Sequence, residues 1–186
     1  MSKFLVIAEK PSVAQSYAKN LSAYKREDGY LEGESCIVSW CLGHLAEYAQ
    51  PEEYDSKYEK WQFDDLPILP EAWKLKVSKD KKKQFDVLKG LMNRSDVEYL
   101  VNGCDAGREG ELIFQRVYDL AGCRKPVKRL WISSMEDAAI QKGFQTMKSE
   151  EEYKNLCMAA VCRAQADWLI GMNGTRAYTT RYFKRL

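Results

Sequence analysis

The stretch Asp105-Ala106-Gly107-Arg108-Glu109-Gly110-Glu111-Leu112-Ile113-Phe114 follows an apolar run, Val97 to Val101, and opens a segment of helical spacing. A strand here hands over to a helix, with three acids, one arginine and two glycines at the junction. Open α/β sheets place their ligands outside the carboxyl ends of strands. Carboxylates gathered there suit a hard cation such as Mg²⁺, held by one or two carboxylates plus water and phosphate oxygens. A helix N-terminus alone favours acids through its macrodipole, which accounts for Glu109 and Glu111. It does not account for Gly107 and Gly110, each of which costs about 1 kcal/mol inside a helix. Glycines there point to close backbone approach by a ligand or a neighbouring element.

Working outward, Phe4 to Ala8 is a short apolar run that reads as a buried parallel strand. Glu9-Lys10-Pro11-Ser12 breaks it. Pro11 suits a helix start, and Val13, Ala14, Tyr17, Ala18 and Leu21 recur with helical spacing. Lys25 to Gly29 reads as a polar turn. Cys36 to Leu42 is a second strand, ending at Gly43-His44-Leu45. Residues 50–72 combine acids, prolines and aromatics, an ordered excursion in which Trp61, Phe63, Leu66, Ile68 and Leu69 need burial. Trp73 to Val77 alternates as a strand does. Lys82 to Leu91 puts Phe85, Leu88 and Leu91 on one helical face.

Beyond the acidic stretch, a helix runs to about Leu120, with Gly122 as its C-cap. Val127 to Ile132 is another strand. Ser134 to Asp137 looks like a capped helix start, with the helix running to about Met147. Glu151 to about Arg176 is one long helix. This order predicts an α/β fold, a mostly parallel sheet of about four strands with helices on both faces, followed by a long C-terminal helix. A boundary near residues 148–152 divides the chain into 1–148 and 149–186.

With 186 residues the chain can build one well-cored domain with an appended element. A net charge of +2 carries no global nucleic-acid signal. Locally, Arg163, Arg176, Arg181, Lys184 and Arg185 face one acid, Asp167. No run of about 18 apolar residues exists, so no membrane span is expected, and the N-terminus is too soon charged for a signal peptide. None of the six cysteines forms a C-x-x-C pair and there is one histidine, so no structural zinc site is expected. Cys104, Cys157 and Cys162 read as small buried hydrophobes, which implies a reducing, cytoplasmic compartment.

Four further constellations could carry chemistry. Glu9-Lys10 ends the first strand. In a parallel sheet it emerges at the same edge as Asp105 and Glu109, where clustered carboxylates raise one another's pKa unless a cation neutralises them; Glu9 could equally cap the following helix. Arg163 and Asp167, at i and i+4, share a helical face, as an internal ion pair or as an arginine steadied by its carboxylate and aimed at phosphate. Gly171 to Arg176, with Tyr178, Arg181, Tyr182, Phe183, Lys184 and Arg185, interleaves bases and aromatics, a surface suited to a phosphate backbone and stacked bases. His44 has no partner set for a Ser-His-Asp triad and reads as structural.

Several long motifs, in this order, resemble the N-terminal part of type IA DNA topoisomerases, most closely the bacterial topoisomerase III group. They are Leu5 to Ala14, Gly43-His44-Leu45, Trp61 to Leu69 with Trp73-Lys74, Lys83 to Phe85, Val101 to Phe114, Arg129 to Ser134, and Arg163 to Arg176. The resemblance implies a Toprim domain over residues 1–148, with 149–186 starting the adjoining helical domain. It implies Mg²⁺ at Glu9, Asp105 and Glu109, proton transfer by Glu9, phosphate contact by Lys10, and an active site completed by Arg163 and Asp167. Residues expected at the DNA, chiefly single-stranded, are Lys10, Arg108, Arg163, Arg176 and Arg181. Many relatives carry Asp-x-Asp where this chain has Asp105-Ala106-Gly107, so one potential ligand is absent, with Glu111 as an available substitute. The family's nucleophilic tyrosine lies far downstream. The chain is therefore expected to be a fragment or truncated protein that works with the remaining topoisomerase domains and cannot relax supercoils alone. A Toprim nuclease or primase, or a non-catalytic DNA-binding module, are the other readings.

Overall fold

The computed structural model describes residues 2–182; Phe183, Lys184 and Arg185, expected at a nucleic-acid surface, lie outside the described residues. The first strand, β1 (Lys3–Ala8), sits at the middle of a seven-stranded sheet. Its alternation explains why. Leu5 and Ile7 point into one core and Val6 and Ala8 into another, and all four are fully buried. A strand apolar on both faces needs helices on both sides.

Helix α1 (Pro11–Asn20) returns the chain, with proline in its first turn. Then come β2 (Lys25–Glu27), β3 (Tyr30–Glu32), β4 (Cys36–Trp40) and β5 (Ala46–Tyr48). The excursion leads to β6 (Leu75–Val77) and α2 (Lys82–Met92). Next are β7 (Val97–Gly103), α3 (Arg108–Ala121), β8 (Val127–Arg129), α4 (Asp137–Gln145), β9 (Lys148–Ser149) and α5 (Lys154–Tyr182). The sheet order is β2-β3-β4-β1-β7-β8-β9. Its centre, β4-β1-β7-β8, is parallel, and antiparallel strands close both ends. One face carries Phe85 and Leu88 of α2 with Ile113, Phe114 and Val117 of α3. The other carries Val13, Ala14 and Tyr17 of α1 with Ile140 of α4.

The parallel centre, both helical layers and the long last helix match the α/β reading. Differences lie at the margins. The turn expected at Lys25 to Gly29 is a hairpin, β2–β3, whose two-residue Asp28-Gly29 loop has Gly29 at φ 86°. Only glycine enters that region freely, and Asp-Gly is the residue pair such loops select. Strand β8 stops at Arg129 rather than Ile132, and β9 adds an edge strand that falls on the expected domain boundary. Gly122 ends α3 in the left-handed conformation, as expected of a C-cap. Helix α4 has no side-chain N-cap, and Ser134 Oγ instead accepts the Glu136 N–H.

The excursion is ordered because α5 supplies its missing core. Tyr48, Ile68 and Trp168 form a third cluster, completed by Trp73, Leu66 and Leu169. Trp168 Nε1 donates to Ala49 O at 3.1 Å, and the Asn173 amide both donates to Ile68 O and accepts from Ile68 N. Of the five side chains expected to need burial, Ile68 is buried and Leu66 half-buried, while Trp61, Phe63 and Leu69 remain exposed. No helix among the described residues is long and apolar enough to cross a membrane.

Candidate metal and nucleic-acid site

Register places the acids. In the β1–β7 pair, Ala8 stands opposite Gly103. The chain therefore leaves β1 at Glu9 and β7 at Cys104-Asp105 on one edge. The Glu9 Oε2 accepts the Asp105 N–H at 3.2 Å. Helix α1 is capped at Lys10 without any side-chain bond, so the capping role for Glu9 gives way to this cross-strand contact. The Glu9 carbonyl accepts the Gly43 N–H at 3.2 Å. That contact draws the loop after β4 inward, and His44 Nε2 lies 3.4 Å from Glu109 Oε2. His44 is thus part of the site edge rather than a packing residue.

Helix α5 crosses α3 and closes a cleft of about 230 Å³ lined by His44, Arg108, Glu109, Arg116, Arg163 and Asp167. Arg163 Nε is 3.7 Å from Asp167 Oδ2, and both side chains are exposed. The ion-pair alternative holds, and the pair lines the cleft. Lys10, Arg108 and Arg181 are exposed. Arg176 is not. It is 5% exposed, donates to Tyr58 O at 2.6 Å, reaches Glu52 Oε2 at 3.4 Å, and stacks on Trp61. Its role is to fasten the excursion to α5, which corrects its expected place at the DNA. The Tyr178 and Tyr182 rings pack at a tilt of 42° with centroids 5.1 Å apart, Tyr178 lying about three turns beyond Asp167.

Among the described residues, no three His, Cys, Asp or Glu side chains converge closely enough to hold an ion. The Glu9 carboxylate turns to the Asp105 backbone and that of Glu109 toward His44. Three carboxylates repel one another when no cation offsets their charge. Chemically the set still fits a hard cation, since it offers oxygen donors with Asp105 and Glu109 open to solvent. Glu111 does not belong to it. It is fully buried and paired with Arg129 Nε at 2.6 Å, which corrects its reading as a substitute ligand.

Arg129 and its partners are the supports that motif reading missed. The Arg129 side chain is fully buried and donates to the carbonyls of Asn102, Cys104, Leu130 and Asp105. It therefore holds the chain where β7 becomes the acidic loop. A signal existed, because a charged residue inside an apolar strand must be paired. The cysteines also divide. Cys104 is buried, Cys157 is half-buried, and Cys162 is exposed, so the buried reading fails for Cys162 and is partial for Cys157.

Glu150 extends this buried network toward α5. Its Oε1 accepts from Asn102 Nδ2 at 3.3 Å. Burial, and then the neighbouring Glu111 charge, push its pKa from 4.5 up to about 7. Between those two values the folded chain keeps a proton that the unfolded chain has released, so stability falls as pH rises through that window. After discounting for the solvent that reaches this half-buried group, the loss is on the order of 2 kcal/mol. Glu150→Gln is expected to flatten urea-unfolding stability between pH 5 and pH 8 (roughly the ends of that window) and to exceed wild type at the upper end. A mutant curve parallel to wild type would remove Glu150 as the cause.

Comparison with known proteins adds independent findings. The profile of the Toprim domain matches residues 4–135. The whole chain is 50% identical to part of DNA topoisomerase 3 of Bacillus subtilis and 52% identical to part of that of Bacillus cereus, covering 26% of each relative. The chain thus spans about a quarter of the length of these curated relatives, as the 26% coverage states. A solved structure, full-length topoisomerase I from Thermotoga maritima, superposes with a TM-score of 0.52 at 19% identity, covering 81% of this chain and 22% of that one. At that identity the likeness is one of fold.

Proposed function

The chain belongs to the Toprim domain family, and from that premise we propose that it is the metal-binding N-terminal part of a topoisomerase III-type enzyme. Such an enzyme cleaves one DNA strand transiently, passes another through and reseals the first. In this reading residues 1–148 are the Toprim domain, residues 149–186 begin the adjoining helical domain, and the substrate is DNA handled chiefly as a single strand in the cytoplasm. The observation that carries the proposal is the junction of two strand ends with a distant helix. Glu9 reaches the Asp105 backbone, and the same edge meets the cleft to which α5 brings Arg163 and Asp167.

Glu9, Asp105 and Glu109 would hold Mg²⁺, which when bound offsets carboxylate repulsion and charge on a phosphodiester. Glu9, at the end of β1, would move a proton at the scissile oxygen. Exposed Lys10 and Arg163 meet phosphate, and Asp167 steadies the Arg163 guanidinium from one turn along the helix. Strand cleavage also needs a nucleophile, which the reading assigns to the remaining domains of the full enzyme.

Isothermal calorimetry tests the metal assignment. Wild type is expected to bind Mg²⁺ weakly, and Asp105→Asn combined with Glu109→Gln is expected to abolish the binding heat. Unchanged affinity in the double mutant would remove these residues as ligands. A chain that cuts single-stranded DNA by itself with Mg²⁺ or Mn²⁺ would favour the Toprim nuclease reading instead.

A further inference from the structure

A second cavity, of about 440 Å³, lies between α3 and α5 and shares no lining residue with the Arg163 cleft. Its middle is apolar, with Cys157, Met158 and Val161 of α5 forming one wall. Across from them, the Gln115 amide of α3 is already engaged. Its Nε2 donates to Asp119 Oδ1 at 2.8 Å, and its Oε1 accepts from Cys157 Sγ at 3.7 Å. The ends are acidic. Asp119 stands two turns beyond Glu111 on α3, about 12 Å along the axis. Glu150 shares the Asn102 amide with Glu111 and so marks the opposite end, with Glu151 beside it.

These acids lack cations. Glu152, the next acid along the chain, pairs with Lys148 at 2.8 Å. Asp119, Glu150 and Glu151 pair with no cation among the described residues. Lys154, exposed, is the single basic residue lining the cavity, and it bridges none of them. Glu150 Oε2 is buried with no hydrogen-bond partner among the described residues. The whole chain carries a net charge of +2, so the acidity is local. One metal ion does not meet it, because carboxylates about 12 Å apart cannot share an ion that needs oxygens within about 2.6 Å. Acidic ends and an apolar middle fit an extended cation, two ammonium groups joined by methylenes. The methylenes leave water against Met158 and Val161, and each ammonium makes charge-assisted bonds to carboxylate. With about 2.8 Å allowed for each such bond, roughly 6–7 Å remains between the two nitrogens, the length of a short aliphatic diamine.

We propose that the α3–α5 cavity binds a linear aliphatic diamine or polyamine, with one ammonium at Asp119 and another at Glu150 and Glu151. The inference is independent of the DNA-handling reading above.

Calorimetry on the 186-residue chain, in low salt and without DNA or metal, tests it with cadaverine, pentylamine and ethylenediamine as probes. The solution is held near pH 8, above the Glu150 value of about 7, so that all three acids carry charge. Cadaverine is expected to bind about tenfold more tightly than pentylamine, which has one charge, and than ethylenediamine, whose charges are too close to reach both ends. Asp119→Asn keeps the acceptor for Gln115 and is expected to lower cadaverine affinity about tenfold, to the pentylamine level. Glu98→Gln, exposed on β7 and outside the cavity lining, is expected to change nothing. Absence of cadaverine binding overturns the inference. Equal affinity for cadaverine and pentylamine, or equal loss in the two variants, reduces the binding to general charge and overturns it as well. A matching urea midpoint shows that Asp119→Asn is folded; if it is not, Glu151→Gln carries the same test with the same expected loss.

Discussion

Arg129→Met is expected to destabilise the chain by about 3–5 kcal/mol, the largest single-residue loss outside the apolar cores. Natural domains have only about 5–15 kcal/mol of net stability, so this variant sits near unfolding at room temperature. The reason is the inventory of what the guanidinium satisfies. Glu111, fully buried, would keep a charge with no cation near it. Four carbonyls, from Asn102, Cys104, Asp105 and Leu130, would lose a donor. Methionine fills much of the volume and supplies none of the bonds. Adding Glu111→Gln is expected to recover part of the loss in urea unfolding, because it removes the uncompensated charge but leaves the carbonyls. No recovery would locate the damage in the carbonyls alone. Mg²⁺ binding should fall even where the variant stays folded, since the Asp105 carbonyl is among the groups released.

That network also marks where sequence reading stops. The strands β1 and β7 are legible because Phe4–Ala8 is an unbroken apolar run and Val97–Val101 is broken only by Glu98, and a run buried on both faces has one solution, the middle of a parallel sheet. The acids at their ends follow from topology. Glu111 could have been separated from Glu109 by periodicity, since residues two apart on a helix do not share a face; in the structure one is buried and the other meets His44. The β2–β3 hairpin is written in Asp28-Gly29 but hidden by strands of three residues each, Lys25–Glu27 wholly polar and Tyr30–Glu32 too short to show an alternation. Arg176 was not legible in the same way. Its basic and aromatic neighbours suit a nucleic-acid surface, and its burial depends on Tyr58 and Glu52, more than a hundred residues away in sequence. Pattern reports what a segment can do alone, and Arg176 and His44 take their roles from segments that fold onto them.

Gly110→Ala and Gly107→Asp should differ sharply, although both glycines lie in the same acidic stretch. In an ordinary helix, alanine for glycine gains about 1 kcal/mol. At Gly110, in the first turn of α3, a Cβ would stand 3.0 Å from the Asp105 C and N and closer still to its carbonyl oxygen. Those are backbone atoms, so no rotamer relieves the clash and the Asp105 loop must move. The expected result is destabilisation of roughly 1–3 kcal/mol, as for other overpacked sites, together with at least a tenfold weaker Mg²⁺ affinity, because the displaced residue is a ligand in the proposed site. Gly107 is the opposite case. Its φ of 163° is extended backbone that any residue adopts, no atom lies within 4 Å of an added Cβ, and it is the N-cap of α3. Aspartate is a preferred N-cap, better than glycine by a few tenths of a kcal/mol. Gly107→Asp should therefore fold at least as well as wild type and tighten Mg²⁺ binding by adding a carboxylate beside Asp105. Calorimetry on the two variants decides the matter. If Gly110→Ala binds Mg²⁺ as wild type does, the close backbone approach serves packing rather than the ion. If Gly107→Asp gains nothing, the ion does not sit between Asp105 and the start of α3.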